Sequence, residues 1–276
     1  MKVAIFVPCH IYYDGQINLL ESCIKSLLEQ TMLPDAIYIS VSFDATYKGG
    51  IGDIMRKYGT SKEPKVIFKP SNKQLYQMEH LYRLHTTVMV SNPNEYDMVM
   101  FCDDDDTYNS SRVEMFVYAF ECGIKNVNNG FGGVREYPQK NDVLWSNHPE
   151  YWAYGVSPFV MEDFFKHVID NGTWDLLLHK FGDMYFRLYL IYTKKHRDWA
   201  GVTDCCLYNY NTENPNSICA KRSDNPMAWD NIIGNVMYCM SREGLDNIIR
   251  VTKLNKNQKR ECERIYELVA SFHSGV

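Results

Sequence analysis

The sequence predicts an α/β fold with a mainly parallel sheet, and three observations carry that expectation. Short β-branched and aromatic runs alternate with segments whose apolar residues recur at helical spacing, the pattern of βα units. The 276 residues are 45% hydrophobic and 23% charged, as in an ordinary globular chain able to bury a large core. The alternation loses its regularity in the second half, which points to a second lobe built onto the sheet.

Residues 3–7 form an apolar run that ends at Pro8-Cys9-His10 and read as the first strand. Residues 17–28 space Leu19, Leu20, Cys23, Ile24, Leu27 and Leu28 at helical intervals. After Pro34, residues 36–41 form a second strand, followed by Ser42-Phe43-Asp44-Ala45 and a turn-prone Lys48-Gly49-Gly50. A helix over 51–58, a strand over 65–68 and a helix over 74–90 come next. Residues 98–101 make a fourth strand that runs into Asp103-Asp104-Asp105-Asp106. Right-handed crossovers gather the carboxyl ends of such strands at one edge, so all four ends are expected to face one cleft. Beyond it we expect a helix at 112–122, strands at 130–137 and 152–157, a helix at 158–169, and one or two helices over 174–191. Residues 211–225 are polar and contain Pro215, which marks a loop. A helix over 258–272 is expected to pack across the domain.

Composition excludes several functions. Lys plus Arg total 29 against 34 acidic residues, a net charge of −5, so no global positive field favours nucleic acid. Nine cysteines without paired spacing argue for reduced, mostly structural thiols. No stretch approaches the roughly 18 apolar residues of a membrane span, and the short apolar start before Pro8 is not a signal peptide, so a cytoplasmic location is expected.

Four consecutive carboxylates repel one another and are costly to desolvate without a positive partner. Hard oxygen ligands suit Mg²⁺ or Mn²⁺, which one or two carboxylates hold while substrate phosphates supply further ligands. A cation bridging a diphosphate is one reading; a solvated acidic turn capping the following helix is the other.

The strand ending Phe101-Cys102 and the four aspartates resemble the DXD segment of nucleotide-sugar glycosyltransferases with the GT-A fold, especially family 2-like enzymes. The chain is also similar to small glycosyltransferases of large DNA viruses of algae. The likeness spans about residues 1–200. It includes Pro8-Cys9-His10, Ser22, Ser26-Leu27-Leu28-Glu29-Gln30-Thr31 and the acidic end of the second strand. It implies a Rossmann-like nucleotide-binding half with a mixed central sheet and an acceptor-binding second lobe. The domain would cover 1–225, with a C-terminal helical extension at 226–276. It also implies a Mn²⁺- or Mg²⁺-dependent hexosyl or pentosyl transfer from a nucleotide diphosphate sugar, a UDP-sugar first, to a glycan or other hydroxyl acceptor.

By the same resemblance Pro8, His10 and Asp44 flank the donor base and ribose, with His10 stacking on uracil and Asp44 accepting from its N3–H. The usual D-D-G-S is Ser42-Phe43-Asp44-Ala45 here. Lys69, Lys73, Gln77 and His80 lie where relatives touch the nucleotide. Asp105 becomes the principal metal ligand and Asp103 its partner near ribose and metal, with Asp104 beside them and a register slip of one left open. Asp183, in Lys180-Phe181-Gly182-Asp183, matches an acidic G-E-D or E-D segment and is the candidate base, with helix capping as the alternative; Gly182 stands where that motif has glutamate. Trp145, His148, Trp152 and Tyr154 are candidates to line the acceptor site, with core packing preferred for Trp152. His196 and His273 are candidates for a late metal ligand. Two other classes remain: a nucleotidyl- or phosphoryl-transfer enzyme, which would want a phosphate-cradling glycine loop that is absent, and a non-catalytic sugar-nucleotide-binding protein.

Overall fold

The computed structural model describes residues 1–45, 47, 49–125, 131–137, 150–178, 182–192, 198–203, 207–211, 229–237, 239 and 241–274. The chain divides into two compact units, residues 1–183 with 196–211 and residues 184–195 with 212–276.

The first unit opens with β1 (Val3–Ile11), α1 (Gly15–Leu28), β2 (Ala36–Phe43), α2 (Gly52–Tyr58), β3 (Lys65–Pro70), α3 (Gln77–Leu84) and β4 (Met98–Phe101). It continues through β5 (Thr107–Tyr108), α4 (Arg112–Ile124), β6 (Phe131–Tyr137), β7 (Tyr154–Val156), α5 (Pro158–Asp170) and α6 (Trp174–Leu177). It then holds the start of α7 (Gly182–Tyr192), β8 (Asp198–Thr203) and β9 (Tyr208–Asn209). Seven strands form one sheet in the order β3-β2-β1-β4-β7-β6-β8. β3, β2, β1 and β4 run parallel, β7 is antiparallel to both β4 and β6, and β8 is parallel to β6. The expected mixed α/β sheet is therefore present, with four carboxyl ends on one edge.

β1 is buried along nearly its whole length, as a central parallel strand covered on both faces must be. It does not stop at Pro8 as expected, but runs on to Ile11. β4 ends at Phe101, opposite Phe6, so from Val7 onward β1 has a ladder on the β2 side only and tolerates a residue without an N–H. α1 buries Leu20, Cys23, Ile24 and Leu27 against this core. Just past its end, the buried Gln30 donates to the carbonyls of Ser26 and Asn109 and accepts from the Val113 N–H, tying α1 to the start of α4.

Two expected elements are revised, and three further strands appear. The helix over 74–90 is α3 followed by a wider π-helical turn, His85–Val90. The Thr86 and Thr87 hydroxyls both donate to the Arg83 carbonyl, side-chain competition of the kind that loosens a helical ladder. The strand over 152–157 is a 3₁₀ turn, Tyr151–Ala153, before the three residues of β7. β8 and the two-residue pair β5–β9 were not expected; they lack the long β-branched runs that mark a strand. Gly133, at φ +140°, is demanded by close packing: a Cβ there would lie 2.0 Å from the Gly155 carbonyl oxygen.

The second unit contains the rest of α7, α8 (Trp229–Met237), α9 (Arg242–Thr252) and α10 (Lys256–Ser274). Ser241 caps α9 by accepting from the Gly244 N–H. On α10, Phe272 packs its ring against Tyr185 and Tyr189 at 5.3 and 5.8 Å. Among the described residues no helix is long and apolar enough to cross a membrane. Cys9, Cys23, Cys102 and Cys262 are buried free thiols.

Candidate active site

The four aspartates leave β4 at the carboxyl edge of the sheet and alternate in environment. Asp104 and Asp106 are 9% and 1% exposed, whereas Asp103 and Asp105 keep intermediate exposure. Asp104 turns under α1, where its Oδ2 accepts from Gln16 Nε2 at 3.1 Å and its carboxylate meets the Cys9 thiol. Asp106 is held by a residue about a hundred positions later in sequence: the Tyr208 hydroxyl donates to its Oδ2 at 2.7 Å, and the Asn211 N–H donates to Oδ1 at 2.7 Å. The β5–β9 pairing brings Tyr208 there. The same Tyr208 hydroxyl accepts from the Asp103 N–H.

Asp103 presents one oxygen to the protein. Its Oδ1 accepts from the Tyr151 hydroxyl and from Gln77 Nε2. Its Oδ2 has no partner among the described residues. Gln77 is the first residue of α3, whose N-terminus is fixed by Glu79 accepting from the Tyr76 N–H.

Charge is poorly balanced here. Burial raises Asp104 to about 7, helped by the charge of Asp105. Burial and then Asp105 also raise Asp106 to about 7, against the opposing hydrogen bonds from Asn211 and Tyr208. Asp103 is pushed well above the usual carboxylate range by burial and by Asp106. Arg112 is a cation that eases Asp106, but it is itself fully buried, 3.2 Å from Glu136 and stacked among Tyr108, Phe116 and Tyr208. Among the described residues no cluster of three or more His, Cys, Asp or Glu side chains could by itself hold a metal ion. Two hard carboxylates with a free oxygen on Asp103 fit a cation whose remaining ligands come from substrate phosphates.

On the other side of β1, His10 and Asp44 sit at the ends of β1 and β2. The Asp44 N–H donates to the Ile11 carbonyl, and the Asp44 charge acts on His10. His10 packs beside Tyr12, with ring centroids 6.3 Å apart. His80 is 1% exposed and meets Ser40 and Ser42 rather than open space. Pro8 is likewise buried, within β1. Lys69 is half-buried on β3 and Lys73 is exposed beyond it.

Asp183 starts α7, and its charge is felt by Tyr151, the residue that donates to Asp103. Gly182 is tightly packed: a Cβ there would lie 2.8 Å from Met78 Cγ and 3.2 Å from the Leu177 backbone, so any larger residue requires these neighbours to shift. Trp152 and Tyr154 are buried, Trp152 stacked on Tyr208 at 3.9 Å, the core packing preferred for Trp152. Trp145, His148, Lys180, Phe181, His196 and the side chain of His273 lie outside the described residues. Sequence reasoning missed Gln16, Tyr151 and Tyr208. Gln16 alone left a signal, a polar residue on the apolar stripe of α1 four positions before Leu20.

No protein-family model and no curated protein sequence matches the chain. Solved structures do. TarS of S. aureus, residues 1–349 in complex with UDP-GlcNAc, aligns at 14% identity over 99% of this chain and 72% of that one, with a TM-score of 0.54. The same TarS segment in complex with UDP aligns at 12% identity with a TM-score of 0.51. The mannosyltransferase PcManGT of Pyrobaculum calidifontis, in complex with GDP-Man and Mn²⁺, aligns at 14% identity over 99% and 70%, with a TM-score of 0.50. At these identities the likeness is one of fold, and the chain has the α/β GT-A fold of these glycosyltransferases.

Proposed function

We propose that the protein is a metal-dependent glycosyltransferase that moves a sugar from a nucleotide diphosphate sugar, a UDP-sugar first, to the hydroxyl of a glycan or related acceptor. The observation that carries this reading is the alternation in the acidic run. Asp104 and Asp106 are consumed by scaffold hydrogen bonds, while Asp103 and Asp105 keep intermediate exposure, and Asp103 Oδ2 has no partner among the described residues, at the edge where α/β sheets bind ligands. The nucleotide sugars in TarS and in PcManGT, the latter with Mn²⁺, support the same substrate class.

In this reading Asp103 and Asp105 hold Mn²⁺ or Mg²⁺. Bound there, the cation supplies neutralisation of the charge that develops on the diphosphate leaving group. Gln77 and Tyr151 fix the Asp103 carboxylate by occupying Oδ1. His10 and Asp44 meet the base, with Lys69 and Lys73 toward the nucleotide. His80 acts from behind them. Asp183 accepts the proton of the acceptor hydroxyl as that oxygen attacks the anomeric carbon and the sugar–diphosphate bond breaks. Tyr151 links this residue electrostatically to the acidic run.

The test is donor hydrolysis and transfer with Mn²⁺ across a panel of UDP- and GDP-sugars. Turnover of at least one, lost on chelation, is expected. Absence of turnover and of binding with every nucleotide sugar refutes the reading.

A further inference from the structure

The helices at the end of the chain separate their charges. Residues 250–260 hold five of the 29 cations, Arg250, Lys253, Lys256, Lys259 and Arg260, and none of the 34 acidic side chains. They span the corner at which α9 ends and α10 begins. Its backbone is well fixed. Lys253 closes α9 in the left-handed region at φ 51°, and Leu254 is buried beneath the turn. Asn255 and Gln258 then form a capping box, each side chain accepting from the other's N–H. Arg242, at the opposite end of α9, reaches Glu263 of α10 at 3.3 Å, so the two helices run back along one another and 250–253 lie at the same end as 256–260.

All five cations are exposed. Three acids of these helices are engaged elsewhere: Asp246 and Glu263 pair with Arg242, and Glu261 pairs with Arg264. Among the described residues no carboxylate lies within ion-pair distance of any of the five, and Arg250 meets the Asn247 amide oxygen at 2.8 Å. On α10, Lys256, Lys259 and Arg260 stand at i, i+3 and i+4, which places them on one face. A chain of net charge −5 thus carries at this corner a local field of the opposite sign. Val251, 59% exposed, stands in sequence between Arg250 and Lys253 as an apolar side chain left in water.

We infer that this corner docks the protein on an anionic lipid surface. Cations for the headgroups and an apolar residue for the boundary beneath them are the two features that interfacial binding combines. Lipid headgroups diffuse laterally to meet cations distributed over two helix ends and a turn, whereas a fixed polyanion needs them in register with its own charges. The surplus negative charge of the remaining chain is repelled by the same surface, which selects this corner as the point of contact. The inference does not depend on the nucleotide-sugar reading.

Co-sedimentation of the full chain with vesicles tests it, using phosphatidylcholine alone and phosphatidylcholine with about one third phosphatidylserine. The wild type should bind the anionic vesicles at least about tenfold more tightly, and less so as salt rises from about 0.05 to 0.5 M. At roughly fivefold per cation, Lys256→Gln combined with Lys259→Gln and Arg260→Gln should lose about 100-fold, or fall to the level seen with phosphatidylcholine. Lys62→Gln combined with Lys65→Gln and Lys125→Gln removes the same charge elsewhere and should bind as the wild type does. Every replaced side chain is exposed, so circular dichroism should show both triples folded. Should the corner triple unfold, Val251→Ser and Lys253→Gln carry the same test, each lowering vesicle binding severalfold. Vesicle binding that is absent in the wild type, or equal in the two triples, overturns the inference. Heparin or polyuridylate binding that the corner triple loses, with no vesicle binding by the wild type, gives the corner to a soluble polyanion and overturns it too.

Discussion

Two polar clusters lie at the same edge of the sheet and solve burial in opposite ways. The Ser40–His80–Ser42–His10 line closes its hydrogen bonds internally and carries no net charge. The aspartates after β4 accept from Gln16, Gln77, Tyr151, Tyr208 and the Asn211 N–H and still repel one another, so two carboxyls are raised to about 7 and a third is pushed well above the usual carboxylate range. A cluster that is complete without a ligand orients one; a cluster left with surplus negative charge is built to receive a positive partner. Substitutions in the two clusters should therefore differ in kind.

The largest effect is expected on the outward side of the acidic cluster. Asp105→Ala should abolish Mn²⁺-dependent UDP binding, a loss on the order of 100-fold or more, with little loss of fold. Asp103→Asn should do nearly as much; calorimetric titration of UDP with and without Mn²⁺ measures both. Asp183→Asn should lower transfer by roughly 100-fold or more while UDP affinity stays unchanged, read by steady-state kinetics beside the same titration. Normal transfer by that variant removes Asp183 as the base.

Next comes the effect of pH on the metal-free protein. Asp104 is raised from its ordinary value near 3.8 to about 7 in the folded chain, so folding favours its protonated form. That contribution is fully present below about pH 4 and is lost as pH rises through 7, about 4 kcal/mol for this group. Urea unfolding in chelator should show stability falling from pH 4 to 8. Added Mn²⁺ with UDP should restore more of it at pH 8 than at pH 5, and a rising metal-free curve contradicts the surplus charge. Smallest is the closed cluster: Ser40→Ala should cost about 1 kcal/mol, equally with and without Mn²⁺.

Much of this contrast was legible in the sequence, because long apolar runs mark central strands and a run of four acids directly after one is unusual. β1 to β4, the shared edge and the acidic run all follow from such local signals, whereas Gln77 entered only through the family resemblance, as a nucleotide contact and not as the donor to Asp103 that the structure shows. Tyr208 did not: it reaches Asp106 through a two-residue strand pair about a hundred positions away, and two residues carry no periodicity. Tyr151 sits in a 3₁₀ turn inside a segment that reads as strand. The Ser40–His80–Ser42–His10 line was half visible, since Ser40 and Ser42 interrupt an otherwise buried apolar strand and His80 shares α3 with the buried Met78, Leu81 and Leu84. What sequence could not supply was the line of contacts between them, which depends on strand register.

The central claim is that the outward aspartates bind the cation and the inward ones hold the scaffold. Titrating Mn²⁺ and UDP into wild type, Asp105→Ala and Asp104→Asn tests it most directly. Asp104→Asn keeps a group able to accept from Gln16 while removing a buried charge. The account predicts that Asp104→Asn binds Mn²⁺ and UDP like the wild type and is more stable in chelator at pH 8, whereas Asp105→Ala loses binding. Loss of binding in Asp104→Asn with retention in Asp105→Ala would contradict it.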